Sequence, residues 1–306
     1  MPYIFRTILF LLVVFSSCKR PVSNNEYLQK RLSERNDEEQ CCVGSIRNDI
    51  QDKRKYDDEY LQKRLTQRVG EGHRYLECPK ETKKDDIIVY EGMTVSYNVQ
   101  ICCPNWVAYE LTKEEVNGNV SKRDKKTFVQ DLSYKGKQAD FYDFKNTNWE
   151  KGHLAPAADM KWSWTAMNEC FYFTNCCPQH PDFNGGVWEK LENKTRAIAR
   201  QYGRVYVVTG PIVGKNVNGT IGENRVVVPD AFFKAWLVPA DGTYSAIGFV
   251  LYNSPEDQDI LASACTIDEL ELLTGLDFYH NLDDKTEKRV EASIDWKYWK
   301  GVGVNP

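Results

Sequence analysis

Two apolar runs late in the chain, Phe232–Val238 and Tyr244–Leu251, are separated by a short segment that contains Asp241-Gly242. Such a turn between two strand-like runs makes an antiparallel hairpin. Further strand-like runs rich in Val, Ile, Tyr and Phe fall at Asp86–Tyr90, Thr94–Asn98, Cys170–Thr174, Arg204–Thr209 and Arg225–Val228. Two helices are predicted. One runs from about Gly185 to Tyr202, with Val187, Leu191 and Ile198 as its apolar face and Gly203 as its left-handed stop. The other starts at Thr266, where Glu269 completes a capping box, and ends at Gly275. Strict strand–helix alternation is missing. The pattern therefore favours an α+β domain around a largely antiparallel sheet over a doubly wound one.

The 306 residues do not share one composition. Residues 1–18 resemble an export signal. Arg6 gives a positive start, Ile8 to Phe15 are apolar, and Ser16-Ser17-Cys18 resembles a lipoprotein cleavage box. The expectation is a lipidated Cys18 that anchors the chain to a bacterial membrane, with ordinary secretion as the alternative. Residues 19–74 are dense in charge and carry Glu-Tyr-Leu-Gln-Lys-Arg-Leu twice, at Glu26–Leu32 and Glu59–Leu65. They are expected to form a solvated tether, the alternative being a docking repeat. A globular domain is expected over 75–306. An export signal with ten cysteines predicts disulfides, without fixing their pairing. The formal net charge of −4 excludes a global pull toward nucleic acid, so any such binding needs a local basic cleft.

Chemistry concentrates in three segments. Trp149–Asp159 places one of four histidines, His153, after Lys151 and Gly152. A neutral imidazole can take a proton from an attacking water, and Lys151 can meet a phosphate; a lone histidine can equally be structural. In a helix that begins near Phe183, Asn184, Trp188, Glu192 and Arg196 recur every four residues. Each step drifts about 40° around the axis, so they form one winding stripe. An amide oxygen and a carboxylate suit magnesium, and Arg196 can neutralise developing charge. The same residues can be an N-cap and an ordinary i,i+4 ion pair. Asn175, after a strand-like run, can steer a water or serve turn chemistry. Cys176, Cys177 and His180 lack the paired spacing of a zinc site.

The Trp149–Met160 segment resembles the signature of the DNA/RNA non-specific endonucleases, Asp-Arg-Gly-His followed by small residues. Other matching segments follow in the family's order: Pro104–Tyr109, Asn175–Gln179, Phe183–Glu192, Val207–Pro211, Val228–Lys234 and Leu272–Phe278. The resemblance spans roughly Tyr75 to Asp284. It implies a ββα-metal fold and hydrolysis of DNA and RNA to 5′-phosphate and 3′-hydroxyl ends. It implies His153 as general base, Asn184 as direct ligand of Mg2+ (with Mn2+ as a substitute), and Glu192 as the carboxylate that holds the metal's waters. It further implies Asn175 as an ordering residue and Arg196 as a cation near phosphate, and it leaves a homodimer open. Glu150-Lys151 replaces the usual Asp-Arg, and Val99–Cys103 lacks the cation some members carry there. Both changes are expected to loosen phosphate contacts. The alternatives are a surface lipoprotein that holds nucleic acid without cutting it, and a docking lipoprotein that works through its tether.

Overall fold

A computed structural model describes residues 75–80, 86–119, 121–123, 127–214 and 218–301. The export signal, the duplicated tether, Cys18, Cys41 and Cys42 lie outside them. In chain order the strands are β1 (Asp86–Val89), β2 (Thr94–Asn98), β3 (Cys103–Thr112), β4 (Glu150–His153), β5 (Cys176–Gln179), β6 (Arg204–Ile212), β7 (Thr220–Ile221), β8 (Val226–Val227), β9 (Ala231–Ala240), β10 (Thr243–Tyr252) and β11 (Ala264–Cys265). The helices are α1 (Lys113–Asn117), α2 (Trp164–Glu169), α3 (Glu189–Tyr202), α4 (Ile267–Thr274), α5 (Asp284–Ala292) and α6 (Trp296–Gly301).

The hairpin forms as expected. Ala240 pairs with Thr243, and both Asp241 (φ 46°) and Gly242 (φ 77°) take the positive φ that a two-residue turn between twisted strands needs. It sits within a seven-stranded sheet of order β1-β2-β3-β6-β9-β10-β11, antiparallel at every pairing. Alternation along β9 sends Phe232, Trp236 and Val238 into one buried cluster and Phe233, Ala235 and Leu237 into a second. The first cluster takes Leu191 and Ile198 of α3 and covers the candidate site. The second takes Ile267 and Leu270 of α4 and Val290 of α5. Both faces are thus covered, as in an α+β domain.

Several expectations need correction. Cys170–Thr174 is not a strand. Ser163 caps α2, the backbone N–H of Cys170 closes its last turn on Ala166, and a 3-10 turn follows at Phe173–Asn175. Its apolar residues fill the core as a turn, so hydrophobicity alone misassigned it. Strands β3, β4 and β5 were not anticipated. The last two are built from Gly, His, Cys and Pro, which carry little intrinsic strand preference, and hold only by pairing with each other. The helix expected from Gly185 is regular only from Glu189. Phe183–Trp188 forms a wider π-type turn, with Gly186 out of helical geometry at φ −108°, ψ −110°. The winding stripe expected from Asn184 is therefore interrupted before Glu192. Gly203 (φ 92°) and the Thr266–Glu269 capping box stand as expected.

The expected disulfides are not formed by Cys102, Cys103, Cys176, Cys177 or Cys265, which are buried thiols. Burial pushes Cys102, Cys176, Cys177 and Cys265 above the ordinary thiol range, which withholds the thiolate that exchange requires. Cys103 Sγ instead donates to the Val227 carbonyl at 3.5 Å.

Candidate active site

Strands β4 and β5 make a two-stranded ribbon in which His153 pairs with Cys176 and Gly152 with Cys177. Asn175 fastens the chain just past His153. Its Oδ1 accepts from Ala155 N at 2.9 Å, and its Nδ2 donates to Ala155 O at 2.9 Å and Cys170 O at 2.8 Å. Both amide hydrogens are used on the main chain and the residue is fully buried. Asn175 is accordingly placed to hold the histidine strand.

The helical segment is stitched across this ribbon at two points. Asn184 Nδ2 donates to Glu150 Oε2 at 2.8 Å, and Trp188 Nε1 donates to the His153 carbonyl at 3.4 Å. With the nitrogen engaged by Glu150, the amide oxygen is the group that Asn184 has left to offer. Strand alternation puts Lys151 and His153 on one side of the ribbon. There the His153 ring packs 4.4 Å from Phe128 and 4.8 Å from Phe171, while Lys151 Nζ sits 5.0 Å above Phe141 and 5.6 Å above Phe144.

His153 Nε2 is shielded and has no hydrogen-bond partner. Burial, and secondarily the charge of Arg123, push the imidazole from 6.5 down to about 3. It is neutral at physiological pH, the form able to accept a proton. Arg123 was not singled out in the sequence, yet its guanidinium lies 5.8 Å from the Phe171 ring that packs on His153. The basic run Lys122-Arg123 was the available signal. A groove of 1050 Å³ begins at this aromatic shell and is lined by Phe128, Phe173, Tyr90, Tyr172, Phe141 and Tyr142, among others.

Behind Trp188 lies a buried charge network. Arg196 NH1 donates to Asp159 Oδ1 at 2.7 Å, and Tyr109 Oη donates to Asp159 Oδ2 at 2.9 Å. Arg196 also donates to Asn193 at 2.8 Å. Its guanidinium is thus anchored inside the protein by an ion pair to Asp159 that its spacing along α3 does not announce. Lys234, on the same sheet face, is fully buried, has no hydrogen-bond partner at Nζ, and lies 4.5 Å over the Trp188 ring. Burial pushes its pKa down and that of Glu192 up, and each charge partly offsets the other's shift. Glu192 keeps partial exposure. Asp159 and Lys234 were not assigned roles from sequence, although a lysine inside the otherwise apolar Phe232–Val238 run was a legible oddity.

Gly152 is required by close approach. A Cβ there would overlap the buried Gln179 side chain, meeting its Cγ at 2.5 Å. Gly152→Ala is expected to destabilise the fold by about 1–3 kcal/mol and to lower activity by displacing His153. Urea melts and plasmid cleavage would check this; an unchanged midpoint would mean that Gln179 swings clear.

A paired ribbon crossed by a helix, laid on one face of an antiparallel sheet, defines a ββα site on an α+β scaffold. Residues 74–285 match the family model described as DNA/RNA non-specific endonuclease, and the chain belongs to that family. It is 33% identical over 204 residues to mitochondrial endonuclease G of Homo sapiens, covering 63% of this chain and 69% of that protein. To mitochondrial nuclease EXOG of Homo sapiens it is 29% identical over 222 residues, covering 67% and 60%. To a nuclease of Nostoc sp. it is 29% identical over 229 residues, covering 71% and 81%. The structure is similar to one from a crystal structure of the EndoG/EndoGI complex, with a TM-score of 0.63 and 26% identity over 72% of this chain and 94% of that one.

Proposed function

We propose that this chain hydrolyses phosphodiester bonds of DNA and RNA with a divalent metal, Mg2+ or in its place Mn2+, and with His153 as general base. The observation that carries the reading is the double stitch of Asn184 to Glu150 and Trp188 to His153, which ties a hard-donor amide to the strand of a neutral, unpartnered imidazole. The donor set fits such an ion: Asn184 engages Glu150 through its nitrogen, which leaves the amide oxygen as the hard donor, and Glu192 offers a partly exposed carboxylate. When bound, the metal supplies electrostatic stabilisation of the phosphate and the leaving oxygen. His153 takes the proton from water as it attacks phosphorus. Asn175 fixes the strand beneath it. Arg123 and Lys151 border the same aromatic shell and can draw a phosphate toward the imidazole, offsetting the cations missing elsewhere. The exposed aromatics Phe141 and Tyr142 offer stacking surfaces for bases without reading their identity.

The test is incubation of the purified chain with plasmid and RNA. Cleavage of both is expected in Mg2+, abolished by EDTA and restored by Mg2+ or Mn2+, leaving 5′-phosphate ends. Retained affinity with no turnover in any divalent metal would instead establish a nucleic-acid-binding protein. We further propose export and lipid anchoring through Cys18. Loss of membrane association in Cys18→Ala would support this; unchanged fractionation would refute it.

A further inference from the structure

On the sheet face opposite the candidate active site, α4 and α5 bring three carboxylates together. Asp268 and Glu271 lie one turn apart on α4, and Glu291 comes from the end of α5. One oxygen from each lies within 4.8 Å of the others. Ligands on opposite sides of a calcium ion, each at about 2.4 Å, are about 4.8 Å apart, so the three fit one coordination sphere. We propose that Asp268, Glu271 and Glu291 bind a hard divalent cation, calcium in preference to magnesium.

Glu291 is the independent observation. It is only 8% exposed, and its Oε1 is buried with no hydrogen-bond partner. A shielded carboxylate oxygen without a donor is costly unless a proton or cation meets it. The neighbourhood offers little relief. Lys80 is 64% exposed and pairs with Asp277 at 3.4 Å. Asp277 and Glu287 add further negative charge around Glu291. The buried Tyr279 hydroxyl beside this group is also without a partner. One donor is well placed: the backbone N–H of Phe278 fixes Glu271 Oε1 at 2.8 Å. Burial pushes Glu271 up to about 7 against the pull of the Phe278 hydrogen bond, and burial followed by the neighbouring carboxylates pushes Glu291 up to about 8.

Calcium is favoured by the mixed burial. Glu291 is enclosed, whereas Asp268 is exposed and leaves the outer side to water. Calcium accepts six to eight oxygens in loose geometry, while magnesium demands a near-ideal octahedron and keeps its waters. The cation would cross-link α4 to α5 and stabilise that face of the sheet.

The experiment is calcium titration of the full chain by calorimetry and thermal melting after EGTA treatment. The parent is expected to bind one calcium per chain at this site, with its melting temperature raised by about 5–10 °C at a hundredfold excess over Kd. Asn184→Ala should keep this binding, which separates it from the candidate active site. Asp268→Asn, at an exposed position that folding tolerates, and Glu291→Gln should each weaken binding at least tenfold. Asp268→Asn should leave Mg2+-dependent cleavage unchanged. The proposal is overturned by absent binding in the parent, by binding lost in Asn184→Ala, or by binding undiminished in Asp268→Asn and Glu291→Gln. Glu291→Gln more stable than a parent indifferent to calcium would show that the trio shares protons only.

Discussion

His153→Ala is expected to lower the rate of plasmid cleavage by about 10²–10⁴, the range that a positioned general base contributes. Removing the ring also empties the space between Phe128 and Phe171, so His153→Gln serves as the control for packing. Both variants should lose rate while nucleic-acid affinity stays within a few-fold. Cleavage within a factor of three of the parent would remove His153 from the chemistry. The depressed pKa adds a distinctive signature. An ordinary histidine base would lose activity near its pKa of 6.5, whereas this imidazole resists protonation down to about 3. The acid limb of kcat/KM should therefore fall well below 6.5.

The same shift predicts how stability changes with acid. In the unfolded chain His153 binds a proton below about 6.5, and in the folded chain only below about 3. Between those values the unfolded state holds more protons. The residue therefore destabilises the fold progressively as pH drops through that window and contributes nothing above it. Subtracting the stability curve of His153→Gln from that of the parent isolates this contribution from the carboxylates. A difference independent of pH would contradict a ring held neutral by the fold.

Asp159→Ala is expected to be among the most destabilising single changes. It removes both the 2.7 Å partner of Arg196 and the acceptor of Tyr109, deep in the first core cluster. Burial raises the Asp159 pKa, while the Arg196 charge and the hydrogen bonds from Arg196 and Tyr109 pull it back. Breaking a buried pair from one side costs about 3–5 kcal/mol, because the remaining charge is stranded. That corresponds to about 6–20 °C in melting temperature for a domain of this size. Arg196→Met combined with Asp159→Ala should be less damaging than the two losses added together. Strict additivity would show that the two residues do not depend on each other.

Much of the scaffold was legible because its signals are local. The Asp241-Gly242 turn, the Thr266 capping box and the Gly203 stop each declare themselves within a few residues. The His153 and Asn184 segments stood out through the residue types that phosphodiester chemistry needs. The β4–β5 ribbon was hidden because Lys151-Gly152-His153 and Cys176-Cys177-Pro178 become strands only by meeting each other. The internal partner of Arg196 was hidden for a related reason. The spacing of Arg196 from Glu192 suggested an i,i+4 pair or a phosphate contact, but its partner Asp159 arrives from a distant part of the chain. Lys234 carried a signal that periodicity alone undervalues: in a central strand covered on both faces, a lysine has no route to water.

The wide turn at Phe183–Trp188 has a consequence for how related chains can vary in length. It spends more residues per revolution than the regular helix that follows, and Asn184 stands at its start. Deleting a single residue there would let the segment wind as an ordinary helix, but it would swing everything upstream by about 100° around the axis. Asn184 would leave Glu150 while Trp188 stayed behind with the His153 carbonyl. Insertions and deletions should thus be tolerated in the outer loops and excluded from this half-dozen residues, even where the side chains themselves are free to change.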